Sequence, residues 1–155
     1  MLKVGARAPG FELADSEMEV VDLSTFAGKP VVLYFYPKDG TPGCTMEAIE
    51  FSELADQFEA LGAIVLGVSM DDCLSHGSFR DRHGLSVELL ADPDGEVCRS
   101  YDVLEERELD GQKRSGVVRS TYVIDRDGII RHALYHVAPK GHAAEVLRLV
   151  KALPR

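Results

Sequence analysis

Cys44 sits where an apolar run meets a helical pattern, with Pro37 and Thr41 ahead of it in the spacing P-x-x-x-T-x-x-C. A thiol in the first turn of a helix faces backbone N–H groups that have no intrahelical acceptor, at the positive end of the macrodipole. Both effects stabilise the thiolate, and thiolates are nucleophiles. The plain alternative is that Cys44 packs as a small hydrophobe, as free cysteines often do. Cys73 and Cys98 complete an odd number of cysteines at wide spacing, which fits neither a disulfide framework nor a CxxC zinc pattern. The remaining constellations are weaker. His132 and His136 share strand parity but have no carboxylate at ligand spacing, which suits a polar sheet face better than a metal site. Asp71-Asp72 suits a helix cap better than magnesium binding. The loop Gly40-Thr41-Pro42-Gly43 is glycine-rich, yet Cys44 stands where a phosphate-binding loop has lysine. The chain contains no asparagine, which excludes a Cys-His-Asn triad and N-glycosylation.

The elements that must position Cys44 alternate between strand and helix. Residues 31–36 (VVLYFY) form an unbroken apolar run of strand length, suited to a strand covered on both faces, and Pro37 stops its ladder. A helix is expected over 44–61, with Ile49, Phe51, Leu54, Phe58 and Leu61 on its apolar face and Gly62 closing it. A strand over 63–69 follows, then a helix over 73–83 ending at Gly84, a strand over 87–90 and a helix over 95–101. Residues 11–13 and 19–23 suit an N-terminal hairpin, and Ser24 is the expected cap of a short turn through Phe26. Residues 103–118 are polar around the hairpin signal Asp110-Gly111. Strands over 119–125 and 129–137 flank Asp127-Gly128, and a last helix covers 141–152. This is a three-layer α/β plan with a mixed sheet.

Composition narrows the function. The 155 residues suit one domain, spanning 1–155, with a sizeable core. A net charge of −9 repels phosphate backbones, so nucleic acid is not an expected partner. No apolar run approaches the ~20 residues that span a bilayer, and the N-terminal residues lack the apolar core of a signal peptide. A cytoplasmic protein with reduced thiols and no membrane contact is expected.

The string YFYPKDGTPGCTMEA, containing Pro37, Thr41 and Cys44, resembles the peroxidatic motif of the peroxiredoxins, in the branch of the bacterioferritin-comigratory proteins and peroxiredoxin Q. The likeness runs from Gly5-Ala6-Arg7-Ala8-Pro9-Gly10-Phe11 to Arg119-Ser120-Thr121-Tyr122-Val123-Ile124-Asp125. It implies a thioredoxin-like fold of the peroxiredoxin type, a mixed central sheet with helices on both faces and an N-terminal β-hairpin. It also implies a thiol-dependent peroxidase acting on hydrogen peroxide and organic hydroperoxides, with no metal, haem or flavin, re-reduced by thioredoxin or a glutaredoxin-type dithiol. Cys44 would attack one oxygen of the O–O bond while charge moves onto the departing oxygen. Thr41 would offer its hydroxyl and Pro37 would shield the sulfur. Arg119 would favour the thiolate and bind the developing oxyanion, and Glu47 would orient an arginine. For both charges a solvated position is the plain alternative.

The sulfenic acid left on Cys44 needs a second thiol. Many relatives carry it five residues later, where this chain has Ile49; others carry it on the next helix, at the position matched by Arg80. Cys73 lies at the start of that helix, Cys98 looks like a core thiol, and a route without an internal resolver stays open. The absence of a C-terminal cysteine arm favours a monomer. Cys-His acyl transfer and a redox-sensing or chaperone-like role switched by Cys44 oxidation are the competing functions.

Overall fold

The apolar run beginning at Val31 is an interior strand of the sheet in a computed structural model, which describes residues 2–154 and their side chains except those of residues 107 and 109. β1 (Glu12–Asp15) and β2 (Val20–Asp22) pair as the expected N-terminal hairpin. β3 (Val31–Phe35) and β4 (Ile64–Ser69) are parallel neighbours, as are β4 and β5 (Glu88–Ala91). β8 (Ser120–Ile124) runs antiparallel to β3, and β9 (Ile130–Leu134) antiparallel to β8. The sheet order is β2-β1-β5-β4-β3-β8-β9, a mixed sheet as the alternation of elements requires. All five residues of β3 are buried, because each face carries its own core. Val32 and Tyr34 point into a core shared with α1 (Pro42–Glu53), α2 (Ala55–Ala60), α3 (Cys73–His83) and α5 (His142–Lys151). Val31, Leu33 and Phe35 point into a second core with α4 (Glu96–Ser100) and the N-terminal segment.

Two local expectations are corrected, and a third is borne out. The helix expected over 44–61 starts at Pro42, whose ring suits the first helical position, and is interrupted at Leu54. At the interruption Ser52 Oγ accepts from the N–H groups of Ser86 and Val87, drawing the last turn of α1 towards the loop after α3. The short 3-10 turn Leu23–Phe26 is capped by Asp22, not Ser24: the extended Asp22 accepts from both the N–H and the hydroxyl of Ser24. The polar stretch after 103 forms the hairpin that its turn signal announced, a separate ribbon of β6 (Leu104–Leu109) with β7 (Gln112–Val117). Its turn is the Asp110-Gly111 pair, both at positive φ, as a two-residue hairpin turn requires.

Candidate active site

β3 delivers the chain to one edge of the sheet, and the loop over 36–41 returns it into α1 with Thr41 as N-cap and Cys44 in the first turn. Cys44 is 1% exposed, packed with Tyr34, Ala48 and Phe51. Burial alone would fit the small-hydrophobe reading, but the sulfur is not in an apolar setting. Arg119, the residue just before β8, donates from Nη2 to Cys44 Sγ at 3.3 Å and from Nη1 to Glu47 Oε1 at 2.8 Å. Glu47 lies one turn after Cys44 on the same face of α1 and is fully buried. One planar fork thus spans thiol and carboxylate, and the backbone of Arg119 is held in turn by the Val137 N–H. Gly43 leaves room for this: a Cβ there would stand 3.1 Å from Arg119 Nη2 and 3.4 Å from Pro139 Cγ.

The charges reinforce one another. Burial pushes the Glu47 carboxyl up to about 7, with Arg119 pulling the other way. Partial burial works against the Arg119 cation, but Glu47 and then Cys44 outweigh it and drive its pKa up. Burial also raises the Tyr34 phenol well above its ordinary value, with Glu47, Cys44 and Asp39 adding to the effect. Tyr34 stacks on Phe51 at 4.5 Å and keeps its hydroxyl unpartnered beneath the site, as Glu47 keeps Oε2.

Thr41 and Pro37 lie on the stretch of chain that leads into Cys44: Thr41 is the N-cap of α1 and Pro37 follows β3 by two residues. The Thr41 hydroxyl donates to Lys38 O, its carbonyl accepts from the N–H and hydroxyl of Thr45, and Pro37 is exposed. Beyond Arg119 a cavity of about 490 Å³ opens between β7 and the chain after β9, lined in part by Arg114, Val117, Val118, His136 and Val137. Among the described residues Sγ is hydrogen-bonded by a guanidinium and not by an imidazole, which leaves Cys-His acyl transfer without its base.

The other two cysteines occupy different places. Cys73 is the first residue of α3, half-buried, at the same edge of the sheet as Cys44 because β3 and β4 are parallel. Cys98 is fully buried in the core on the opposite face of the sheet, where burial and Asp92 push its thiol far up. Sequence reasoning missed a polar cluster under the Cys44 loop. Asp39, Asp71 and His76 bring ligand-type atoms within 4.8 Å of one another, but donors from Tyr36, Ser69, Ser75, His76 and the Asp39 backbone already use the two carboxylates. The acidic pair divides its work: Asp72 caps α3 through Ser75 N, while Asp71 binds the loop. The repeated acid in Asp71-Asp72 was the one visible signal.

Comparison with known proteins finds relatives over nearly the whole chain. Residues 4–133 match the model of the AhpC/TSA family. A putative peroxiredoxin of Helicobacter pylori is 44% identical over 146 residues, 94% of this chain and 96% of that protein. The solved structure of a cysteine-to-serine variant of Xylella fastidiosa peroxiredoxin Q superposes with a TM-score of 0.91 at 37% identity, covering 98% of this chain and 97% of that one. The bacterioferritin comigratory protein of Xanthomonas campestris, whose structures bear on its alkyl peroxide reduction, superposes with a TM-score of 0.87 at 38% identity, covering 92% and 90%.

Proposed function

The chain belongs to the AhpC/TSA family of peroxiredoxins, with the thioredoxin-like fold of that family, and from that premise we propose that Cys44 is the peroxidatic residue of this cysteine-based peroxidase, served by Arg119, Thr41 and Pro37 and with Glu47 orienting the arginine. The observation that carries the assignment is the Arg119 fork, which reaches Sγ at 3.3 Å while Glu47 anchors its other arm at 2.8 Å. The cation favours the thiolate, and the same N–H groups can donate to a peroxide oxygen as charge develops on it.

The thiolate attacks one oxygen, the O–O bond breaks with its electron pair leaving on the other, and that oxygen takes a proton to depart as water or alcohol. Cys44 keeps the transferred oxygen as sulfenic acid. In the proposed route the Cys73 thiol displaces that oxygen as water, forming a Cys44–Cys73 disulfide. Thioredoxin or a glutaredoxin-type dithiol then reduces the bridge and is itself oxidised. Cys98 takes no part, being on the wrong face of the sheet. The cavity beside Arg119 supports organic hydroperoxides as well as hydrogen peroxide, since about 490 Å³ leaves room for an alkyl body. The chain works as one domain and as a monomer, because resolution within one chain needs no second copy. Its place is the cytoplasm, where dithiol reductants keep its three free cysteines reduced. No described helix is long and apolar enough to cross a membrane.

Cys44→Ser tests the assignment. It should reduce peroxide turnover to background while circular dichroism and melting stay those of the parent, because serine offers no thiolate at neutral pH. A folded variant that still turns over peroxide would sink the assignment.

A further inference from the structure

We infer that Asp39 and His76 form a latch that holds the Cys44 loop in its peroxide-reactive position and must release before Cys44 can leave its pocket. This rests on the reading of Cys44 as the peroxidatic residue, but the latch itself is visible without it.

Asp39 lies in the loop between β3 and α1, and its carboxylate collects two hydroxyl donors and the ring of His76. Tyr36 Oη donates to Oδ1 at 2.6 Å; Ser75 Oγ donates to Oδ2 at 2.9 Å; His76 Nδ1 lies 2.7 Å from Oδ2. The Asp39 N–H in turn donates to Asp71 Oδ2 at 2.8 Å, which also receives the Ser69 hydroxyl. Ser75 and His76 belong to the first turns of α3, so the loop is tied by side chain and main chain to a second helix. His76 is fully buried, and its Nε2 lies 3.0 Å from the Leu90 carbonyl, which can only accept. Nε2 must therefore carry a hydrogen. The Asp39–His76 contact then holds one proton of its own, whichever partner carries it. A fully satisfied buried network of this kind fixes one geometry and tolerates partial loss badly.

The location gives the network its consequence. Cys44 is 1% exposed, so its sulfur reaches a bulky partner or another thiol only if the loop and first turn of α1 open. The helix that holds the loop shut also begins with Cys73, one turn before His76. Asp39 and His76 touch neither sulfur nor substrate and are positioning residues. Their loss should slow attack on peroxide and speed every process that needs the open loop.

The test uses the full chain with Cys73→Ser and Cys98→Ser, leaving Cys44 as the single thiol. Two rates are read: oxidation of Cys44 by hydrogen peroxide, and modification of reduced Cys44 by fluorescein maleimide, which requires opening. His76→Gln keeps an amide nitrogen near the Nε2 position but loses the Asp39 contact. It should raise the maleimide rate about tenfold and lower the peroxide rate by a similar factor, as should Asp39→Asn. His76→Asn places its amide nitrogen where Nδ1 stands and should restore both rates to within about threefold of the parent. Ser75→Ala, which deletes one donor and spares the rest, should move both rates in the same directions by a smaller factor and serves if His76→Gln does not fold. Rates within twofold of the parent in Ser75→Ala, Asp39→Asn and every folded His76→Gln sample would overturn the latch, as would equal effects of His76→Asn and His76→Gln. A parent that reacts with maleimide but not with peroxide would refute the peroxidatic assignment and leave the latch to be judged on the maleimide rates.

Discussion

Arg119 serves two acceptors with one rigid fork, and this decides what substitutions around it do. Arg119→Ala removes the donor at 3.3 Å from Sγ and strands Glu47, a carboxyl with no exposure. The peroxide step should slow by about 10- to 100-fold, the loss of one charge-assisted hydrogen bond, and less thiolate should be present at neutral pH. Stopped-flow oxidation of Cys44 reads the first and the pH profile of iodoacetamide labelling the second; an unchanged rate and profile would return Arg119 to a solvated charge. Glu47 carries a second prediction. Its carboxyl is held up at about 7 against an ordinary 4.5, burial being the main cause. The folded chain thus keeps a proton that the unfolded chain has already released. The carboxyl stabilises the fold fully below its ordinary value, and that contribution drains away as pH rises through 7. Glu47→Gln cannot ionise, so the stability gap between parent and variant should move in the variant's favour from pH 4.5 to pH 7.5, by at most about 3 kcal/mol. Urea unfolding of both proteins at the two pH values measures it, and an equal gap at both would show that the carboxyl is not held up.

At the scale of elements, the site stands on the seam between β3 and α1, and that seam was largely legible. A continuous apolar run predicts a strand buried on both faces, and Pro37, Pro42 and Gly43 mark the turn into the helix. What escaped did so for identifiable reasons. The break at Leu54 is invisible because Phe51, Leu54 and Phe58 keep helical spacing across it, and the Ser52 Oγ contacts beside it reach residues more than thirty positions away. β7 exposes all of its residues but Val117, so no alternation betrays it, and the ribbon is legible only in its Asp110-Gly111 turn. The Asp39–His76 contact joins a loop to a helix 37 residues on, and no local pattern encodes it. Packing under the seam also sets a cost. A Cβ on Gly67 of β4 would stand 2.6 Å from Tyr34 Cζ and 2.9 Å from Leu89 Cδ2, and Tyr34 is pinned against Phe51 of α1. Gly67→Ala should destabilise the fold by about 1–3 kcal/mol, the usual range for overpacking, and should slow the peroxide step because the strain passes to the helix bearing Cys44 and Glu47. Urea titration with a stopped-flow trace of the same sample checks both; parental stability would mean that Tyr34 is free to move.

For the whole molecule, the sheet decides which thiols can meet. It separates Cys44 from Cys98, each in the core of its own face, and it brings Cys44 and Cys73 to one edge because their preceding strands are parallel. A disulfide needs Cα atoms within ~7 Å and a defined dihedral, which two intact helix starts rarely meet, so the first turn of α1 must unwind and Cys44 must leave Arg119. On the proposed Cys73 route the chain would react in one form and be resolved in another. One equivalent of peroxide should therefore give one Cys44–Cys73 bridge per chain, found by peptide mapping, with no covalent dimer. Cys73→Ser should accumulate sulfenic acid at Cys44, lose thioredoxin-supported turnover and pass more readily to the sulfinic state, while Cys98→Ser behaves like the parent. The serine variant separates the routes. If Cys73→Ser keeps full thioredoxin-supported activity, no internal thiol is needed, and the reductant must reach the sulfenic acid at Cys44 itself through the same opened loop.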